Sequence, residues 1–209
     1  MLFQICKTLS RSFPKPSSAR NALKKFNVND TKLLSFFENF TCDSSLDDGL
    51  GRAFQWNLSK RIVEELDEWL KSNQGLVSAP QQYSKNFRER ADLAKTRSPR
   101  KDRIFVEVEF RPNIEKDLVK FQIGWNAKTL GVAVLVVAID RKTINGKYAT
   151  MPEYDKVLRI VEALNPQYPL LLIGVNGKMA SRNRVRWRKS KRADKRDTER
   201  RRKPGKGSK

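Results

Sequence analysis

An uninterrupted apolar run, GVAVLVVAI, occupies residues 131–139. A strand with one face in water alternates apolar and polar residues, so a run without alternation predicts a strand that is covered on both faces. The segment LLLIGV at 170–175 has the same character. Apolar residues at helical spacing predict amphipathic helices at 57–72, 114–127 and 152–164. Strands and helices in this order predict an α/β fold with a mixed sheet flanked by helices.

The segment KDRIFVEVEF at 101–110 is predicted to form a further strand. Side chains alternate between the two faces of a strand, so Glu107 and Glu109 share one face, roughly 7 Å apart. Phe105 lies on that face as well, and the other face is wholly apolar: Ile104, Val106, Val108 and Phe110. Asp92 precedes a turn signal, RSPR at 97–100, that would fold its own strand back and add a third carboxylate.

These acids have two interpretations. Oxygen ligands suit Mg²⁺ and phosphates complete its coordination shell, so three carboxylates in a basic chain favour a divalent-metal site that faces a polyanion. An E-x-E pattern on a half-buried strand is also typical of a plain solvated face.

The charge of the chain narrows the classes of function. In 209 residues there are 44 Lys and Arg against 23 Asp and Glu, a formal charge of +21, which implies nucleic acid or an anionic membrane surface as partner. No apolar run reaches membrane-spanning length, so an integral membrane protein is not expected. The absence of histidine excludes His-based triads, His general bases and His–metal ligation. Cys6 and Cys42 form no disulfide framework and fit a reducing compartment.

Both ends of the chain are basic. Residues 1–29 contain no acid and are predicted to be a basic N-terminal segment that packs on, or contacts, DNA; a mitochondrial transit peptide is the alternative. Residues 178–209 carry 16 Lys and Arg and 3 acids, a net charge of +13, and are predicted to be a disordered tail suited to phosphate contacts. The polar stretch 73–88 is predicted to be a connecting loop.

The central block resembles a known family. Asp92, the strand KDRIFVEVEF, the helix IEKDLVKFQIGW, the strand GVAVLVVAID and the later YPLLLIGV follow one another as in the catalytic core of type II restriction endonucleases. The resemblance is to the BglII, BstYI and BamHI group of the PD-(D/E)XK nuclease superfamily and covers about residues 85–175. It implies a restriction-endonuclease-like fold, with a nuclease domain over 30–177 between the basic segment 1–29 and the disordered tail 178–209.

The resemblance also implies roles for individual residues. Asp92 and Glu107 match the metal-binding acids, with the backbone carbonyl of Val108 completing a Mg²⁺ ligand set. Glu109 stands where most of the superfamily has lysine; a glutamate there resembles the BamHI arrangement, whereas BglII relatives have glutamine. Asp92, Glu107 and Glu109 are therefore the expected catalytic residues, and Glu109 would position or deprotonate the attacking water. No acid matches the family's further active-site residue upstream of the first aspartate.

The implied substrate is double-stranded DNA, cut at a short palindromic site by a homodimer whose two-fold symmetry matches that of the site. The implied location is the cytoplasm of a bacterium or archaeon. The expected DNA contacts are basic residues of the central block and of the tail: Lys101, Arg103, Arg111, Lys116, Lys120, Arg184, Arg186 and Arg188.

Two other functions compete with this interpretation. One is a non-specific or repair-type nuclease of the same superfamily. The other is a non-catalytic nucleic-acid-binding protein whose acids form only a solvated strand face. Binding to an anionic membrane surface through the basic ends ranks last.

Overall fold

The computed structural model of this protein describes residues 2–43, 53–98, 102–110, 114–144 and 153–179. Within these ranges the helices are α1 (Ser18–Lys25), α2 (Asp30–Glu38), α3 (Ala53–Gln74), α4 (Ile114–Asn126) and α5 (Tyr154–Leu164). The strands are β1 (Leu2–Phe13), β2 (Thr41–Asp43), β3 (Val77–Ser78), β4 (Gln82–Ser84), β5 (Phe87–Arg90), β6 (Leu93–Thr96), β7 (Arg103–Val108), β8 (Leu130–Ala138) and β9 (Leu170–Met179).

A seven-stranded mixed sheet organises the molecule, in the order β2-β1-β9-β8-β7-β6-β3. The three central strands β7, β8 and β9 are parallel, and the outer pairs are antiparallel. Parallel neighbours need a crossover, which α4 supplies between β7 and β8 and α5 supplies between β8 and β9. Strands β4 and β5 form a separate hairpin. The predicted α/β fold with a mixed sheet and flanking helices is confirmed.

Strand β8 lies at the centre of the sheet and is buried on both faces. Val132, Val134 and Val136 belong to one hydrophobic cluster, which also contains the inner stripe of α3. Ala133, Leu135 and Val137 belong to the second cluster, which contains the inner faces of α4 and α5. Each cluster covers one face of the sheet. Strand β8 is therefore covered on both faces, as its apolar run without alternation predicts.

The basic N-terminal segment contributes a strand that the sequence analysis did not predict. Strand β1 runs antiparallel to β9 from Phe3 to Phe13 and also pairs with β2. Phe3 and Ile5 are buried, while Lys7 and Arg11 stay near the surface. Residues 2–13 are therefore part of the same sheet as the central block, although their composition is that of a basic segment.

Two further expectations about chain segments are corrected. The stretch 73–88 was predicted to be a loop but contains β3, β4 and the first residues of β5, with Tyr83 fully buried. The tail was predicted to begin at residue 178, whereas β9 continues through Lys178 to Met179 because β1 supplies a long partner for it. The rest of the predicted disordered tail, 180–209, lies outside the described residues.

Helix α4 differs from its predicted orientation. The helical spacing of Ile114, Leu118, Phe121 and Trp125 predicts that these residues form its inner face and that Lys116, Lys120 and Lys128 lie on its outer face. Lys120 is instead buried, and Trp125 is 37% exposed. The inner face of α4 is formed by residues spaced three or four apart, and one of them, Asp117, is charged. The others are Ile114, Leu118, Phe121 and Gly124. In the part of the chain that the structure describes, no helix is both long and apolar enough to cross a membrane.

Candidate active site

The hairpin of β6 and β7 brings Asp92 to the end of β7. Leu93 pairs with Val106, so Asp92 reaches the level of Glu107 and Val108. Its carboxylate Oδ2 accepts a hydrogen bond of 2.9 Å from the backbone N–H of Val108. The predicted fold-back of the Asp92 segment is confirmed.

Both faces of β7 are covered. Ile104, Val106 and Val108 pack in one core cluster and Phe105 in the other, which confirms the predicted division of the strand. The acids on the Phe105 face are not solvated, however. Glu107 is 3% exposed and Glu109 is 9% exposed. Because a buried carboxylate costs free energy unless it is paired or binds a cation, a plain solvated face is the wrong interpretation of this pair.

A polar cavity of about 240 Å³ opens at the end of β7. The hairpin supplies four of its lining residues: Asp92, Glu107, Val108 and Glu109. Helix α4 adds Lys120 from one side of the sheet, and α3 adds Lys60 from the other. The cavity therefore lies at the point where both helix layers meet the end of a central strand.

A larger cavity, of about 730 Å³, lies at the opposite ends of the central strands. Asp102 precedes β7, Gly131 lies at the start of β8 and Pro169 precedes β9, and all three line it. Among the described residues that line it, Asp102 is the only acid. The smaller cavity is therefore the better candidate for binding a cation and a phosphate, because carboxylates and lysines lie together there.

Glu107 is held by two donors that share one of its oxygens. The hydroxyl of Tyr83 donates to Oε1 at 2.6 Å, and the ammonium of Lys120 donates to the same atom at 3.0 Å. Lys120 also donates to Asp117 Oδ1 at 2.7 Å. Tyr83 is fixed in turn by stacking on Phe105, with ring centroids 4.6 Å apart. Among the described residues, Asp117 Oδ2 has no hydrogen-bond partner although it is buried.

The environment shifts the pKa values of this group strongly. Burial, with the nearby charges of Asp92 and Asp117, raises the pKa of Glu107 to about 8, against the opposing effects of Lys120 and Tyr83. Burial also raises the pKa of Asp117. Burial alone would lower the pKa of Lys120, but Glu107 and Asp117 outweigh it and raise that pKa above its usual value. Lys120 therefore stays charged at neutral pH and offsets part of the cost of ionising the buried carboxyl groups of Glu107 and Asp117.

The expected DNA contacts are scattered in the structure. Lys116 is exposed and forms an ion pair of 2.9 Å with Glu89. Arg103 lies at the far end of β7, where its Nη1 donates to the carbonyls of Pro80 and Gln82. Lys120 lines the cavity. The other five lie outside the described residues: Lys101, Arg111, Arg184, Arg186 and Arg188.

Sequence reasoning missed two residues of this site and misplaced a third. Tyr83 lies in the stretch 73–88, which was predicted to be a connecting loop. Asp117 was not considered, and Lys120 was placed on the outer face of its helix. A signal for Asp117 existed, because it lies three residues after Ile114 and four before Phe121, on the apolar face of the helix. No comparable signal marks Tyr83.

The donor atoms at the cavity fit a hard cation. The carboxylates of Asp92 and Glu107 and the carbonyl of Val108 supply only oxygen, which is the ligand type that Mg²⁺ prefers. In the described part of the chain, no three His, Cys, Asp or Glu side chains come close enough to form a complete cluster. Mg²⁺ is commonly held by one or two carboxylates with waters and substrate phosphates, so a complete protein cluster is not required.

The fold and the cavity together define a class: a mixed α/β protein with a carboxylate-lined polar cavity at the end of a central hairpin. Comparison with known proteins then identifies the family. The model of the restriction endonuclease BglII/BglIII family matches residues 15–175, which is most of the chain. The chain therefore belongs to the BglII/BglIII restriction endonuclease family. No curated protein matches it significantly.

Membership of the family establishes the activity in general terms. The protein is a restriction endonuclease, a type II deoxyribonuclease that cleaves DNA at specific sites. Its family is generally metal-dependent and acts on DNA.

Proposed function

We propose that this enzyme hydrolyses phosphodiester bonds of double-stranded DNA at a short palindromic site, with Mg²⁺ as cofactor and with Asp92, Glu107 and Glu109 as catalytic residues. The observation that carries the proposal is the burial of Glu107 at the end of β7, inside the polar cavity that Asp92 and Glu109 also line. A carboxylate in that position is costly to the fold, which is expected where it serves a cation and a substrate.

Three groups of the chain would hold the cation: the carboxylates of Asp92 and Glu107 and the backbone carbonyl of Val108. When bound, Mg²⁺ supplies Lewis-acid stabilisation of the phosphate charge and lowers the pKa of a water. The chain already brings Asp92 and Val108 together, through the 2.9 Å hydrogen bond from the Val108 N–H. Tyr83 fixes the orientation of Glu107 through its 2.6 Å hydrogen bond.

Glu109 would act on the attacking water. It lies two residues after Glu107 and lines the same cavity, and its backbone N–H is fixed by a 2.9 Å hydrogen bond to the Val136 carbonyl. A carboxylate in this position can orient a water and accept its proton as the water attacks the phosphorus. Cleavage then leaves a 5′-phosphate and a 3′-hydroxyl.

The DNA would be held mainly through its phosphates. Lys116 and Lys120 on α4 and Arg103 on β7 are the described candidates, and Lys101, Arg111, Arg184, Arg186 and Arg188 complete the proposed set. Contacts of this kind supply affinity and orientation but carry no sequence information.

Partners and location follow from the proposed substrate. A palindromic duplex has two-fold symmetry, so we expect a homodimer in which each subunit cuts one strand. A DNA-cutting enzyme with free cysteines at positions 6 and 42 fits the reducing cytoplasm of a bacterium or archaeon.

Single-turnover cleavage of duplex DNA by matched variants tests the residue assignments. Asp92→Asn, Glu107→Gln and Glu109→Gln should each lower the rate by about 100-fold or more, because each removes a charge needed in the transition state. The control is Glu162→Gln on α5, an exposed acid paired with Arg11 at 3.3 Å, which should cut at the wild-type rate. Full activity of Glu107→Gln would contradict the assignment.

A further inference from the structure

Lys120 is buried within contact distance of two carboxylates at the proposed site. It is 8% exposed, and its Nζ lies 3.0 Å from Glu107 Oε1 and 2.7 Å from Asp117 Oδ1. It lines the same cavity as Asp92 and Glu109. Its ammonium is therefore part of the site.

The charges around the cavity are unequal. Four acids surround it or support it: Asp92, Glu107, Glu109 and Asp117. Lys60, the other lysine of the cavity wall, has a side chain that is 68% exposed and lies 3.9 Å from Glu64 of its own helix. Lys120 is thus the buried cation that offsets the carboxylates in the described part of the site.

A divalent cation bound by Glu107 would meet this ammonium directly. Two positive charges a few ångströms apart in a partly buried site repel strongly. Both would also bind the carboxylate of Glu107. One oxygen of that carboxylate already accepts hydrogen bonds from Lys120 and Tyr83. Cation binding and the Lys120–Glu107 ion pair therefore oppose each other.

We infer that the ammonium of Lys120 takes the place of a cation beside Glu107 in the metal-free protein, and that Mg²⁺ binding releases it toward the substrate phosphate. This inference rests on the proposed function. Asp117 stays within reach of Lys120 after the release, because it precedes Lys120 by one turn of the same helix. The flexible stem of a lysine lets its ammonium move while this tether keeps it at the cavity.

If Mg²⁺ displaces the Lys120 ammonium, the variant Lys120→Met should bind Mg²⁺ more tightly and yet cut DNA more slowly. Lys120→Met removes the competing charge, so Mg²⁺ alone, titrated by calorimetry without DNA, should bind about tenfold more tightly or better. The same variant lacks the ammonium that meets the phosphate, so single-turnover cleavage at saturating Mg²⁺ should fall about 100-fold or more. Lys120→Arg keeps the charge and should not tighten Mg²⁺ binding.

The matched control is Lys95→Met. Lys95 is also buried and ion-paired, at 2.7 Å from Asp67, but it does not line the cavity. Its loss should destabilise the fold and leave Mg²⁺ affinity unchanged. A merely structural Lys120 would behave like this control.

The outcomes separate this inference from the proposed function. Wild-type Mg²⁺-dependent cleavage, combined with a Lys120→Met variant that binds Mg²⁺ no more tightly than wild type, would overturn the exchange and leave the function intact. A wild-type protein that neither binds Mg²⁺ nor cuts would overturn both.

A measurement on the wild-type protein covers the case in which Lys120→Met does not fold. The Nζ resonance of a buried lysine is observable by ¹⁵N NMR, and Mg²⁺ should shift it and speed its hydrogen exchange as the ion pair with Glu107 breaks. An ammonium resonance that does not respond to saturating Mg²⁺ would overturn the inference.

Discussion

At the scale of single residues, Glu107 combines a cost to the fold with a proposed role in catalysis. It is 3% exposed, and its carboxylate accepts hydrogen bonds from Tyr83 and Lys120 at the same oxygen. Burial and the charges of Asp92 and Asp117 raise its pKa to about 8. The carboxylate of Glu107 is therefore costly in the metal-free fold, and its ion pair with Lys120 offsets only part of that cost, whereas the proposed chemistry needs the carboxylate.

This conflict predicts a pH dependence of stability without metal. The folded-state pKa of Glu107 lies above its ordinary value, so the folded protein binds more protons than the unfolded chain between about pH 4.5 and about pH 8. Its contribution to the free energy of unfolding is present below that range and is lost as pH rises through it. Glu107→Gln cannot ionise and should flatten this decline, by about 1 kcal/mol or more at pH 9.

Urea unfolding in EDTA at a series of pH values measures this effect. Glu162→Gln, which changes an exposed acid, should follow the wild-type curve. A Glu107→Gln variant with the same pH dependence as wild type would show that the buried carboxylate does not carry the loss.

Glu109 should differ from Glu107 in what its loss changes. Because Glu109 is assigned to the attacking water and not to the cation, Glu109→Gln should retain most of the Mg²⁺ affinity while its cleavage rate falls by about 100- to 10,000-fold. Glu107→Gln should lose both. Calorimetry with Mg²⁺ and single-turnover cleavage separate the two variants, and equal losses of Mg²⁺ affinity would contradict the division of roles.

Part of this site could be predicted from the sequence, and the rest could not. Asp92, Glu107 and Glu109 could be predicted, because a strand pattern and a turn signal bring them together by local rules. Tyr83 reaches Glu107 across 24 residues from a separate hairpin, and local patterns contain no information about such a contact. Lys120 was misplaced because a lysine on a helix is nearly always solvated. Its burial is favourable because Asp117, one turn earlier, and Glu107 on another element both pair with it.

At the scale of the secondary-structure elements, an ion pair between a buried lysine and a partly exposed aspartate fixes α3 against the sheet. Lys95 on β6 is fully buried, and its Nζ lies 2.7 Å from Asp67 Oδ1 on α3. The apolar stripe of α3 packs on the same side of the sheet through Leu58, Ile62 and Leu66. This contact positions the helix that carries Lys60 to the cavity wall.

Removing Asp67 should therefore be costly. Asp67→Ala leaves the ammonium of Lys95 buried without its carboxylate and should lower the free energy of unfolding by about 2–4 kcal/mol. The next residue, Glu68, is exposed and lies 3.8 Å from Lys71, so Glu68→Ala should change stability by less than about 1 kcal/mol. Urea denaturation of both variants measures the difference, and equal effects would contradict the importance of the pair.

The elements that could be predicted are those whose own residue pattern indicates which of their faces are buried. Strand β8 is apolar throughout because it is central, and β7 alternates acids with apolar residues at the cavity. Strand β1 was missed because its exposed side carries basic and hydroxyl residues, and its burial depends on β9, more than 150 residues away. Strands β3, β4 and β5 have two to four residues each, too few to produce a pattern.

At the scale of the whole molecule, positive charge is concentrated away from the catalytic block. Residues 178–209 hold 16 of the 44 Lys and Arg, whereas the sheet that carries the site ends at Met179. The acids of the site thus lie in the less basic part of the sequence, and we expect the basic tail, residues 178–209, to serve phosphate binding.

Deletion of residues 180–209 tests this division. The shortened protein keeps every described strand and helix and should fold, but its DNA affinity should fall and depend less steeply on salt, because fewer counterions are released. Its cleavage site should not change, since phosphate contacts carry no sequence information. Binding isotherms at several salt concentrations measure the slope, and an unchanged slope would exclude the segment from DNA binding.

The most direct test of the whole account is digestion of a long unmethylated DNA by the purified protein, with Mg²⁺ and with EDTA, beside Glu107→Gln. Discrete fragments that require Mg²⁺ should form with the wild-type protein and should disappear with the variant. Fragments that form equally well with the variant, or in EDTA, would contradict the claim that the cavity at the end of β7 is the active site.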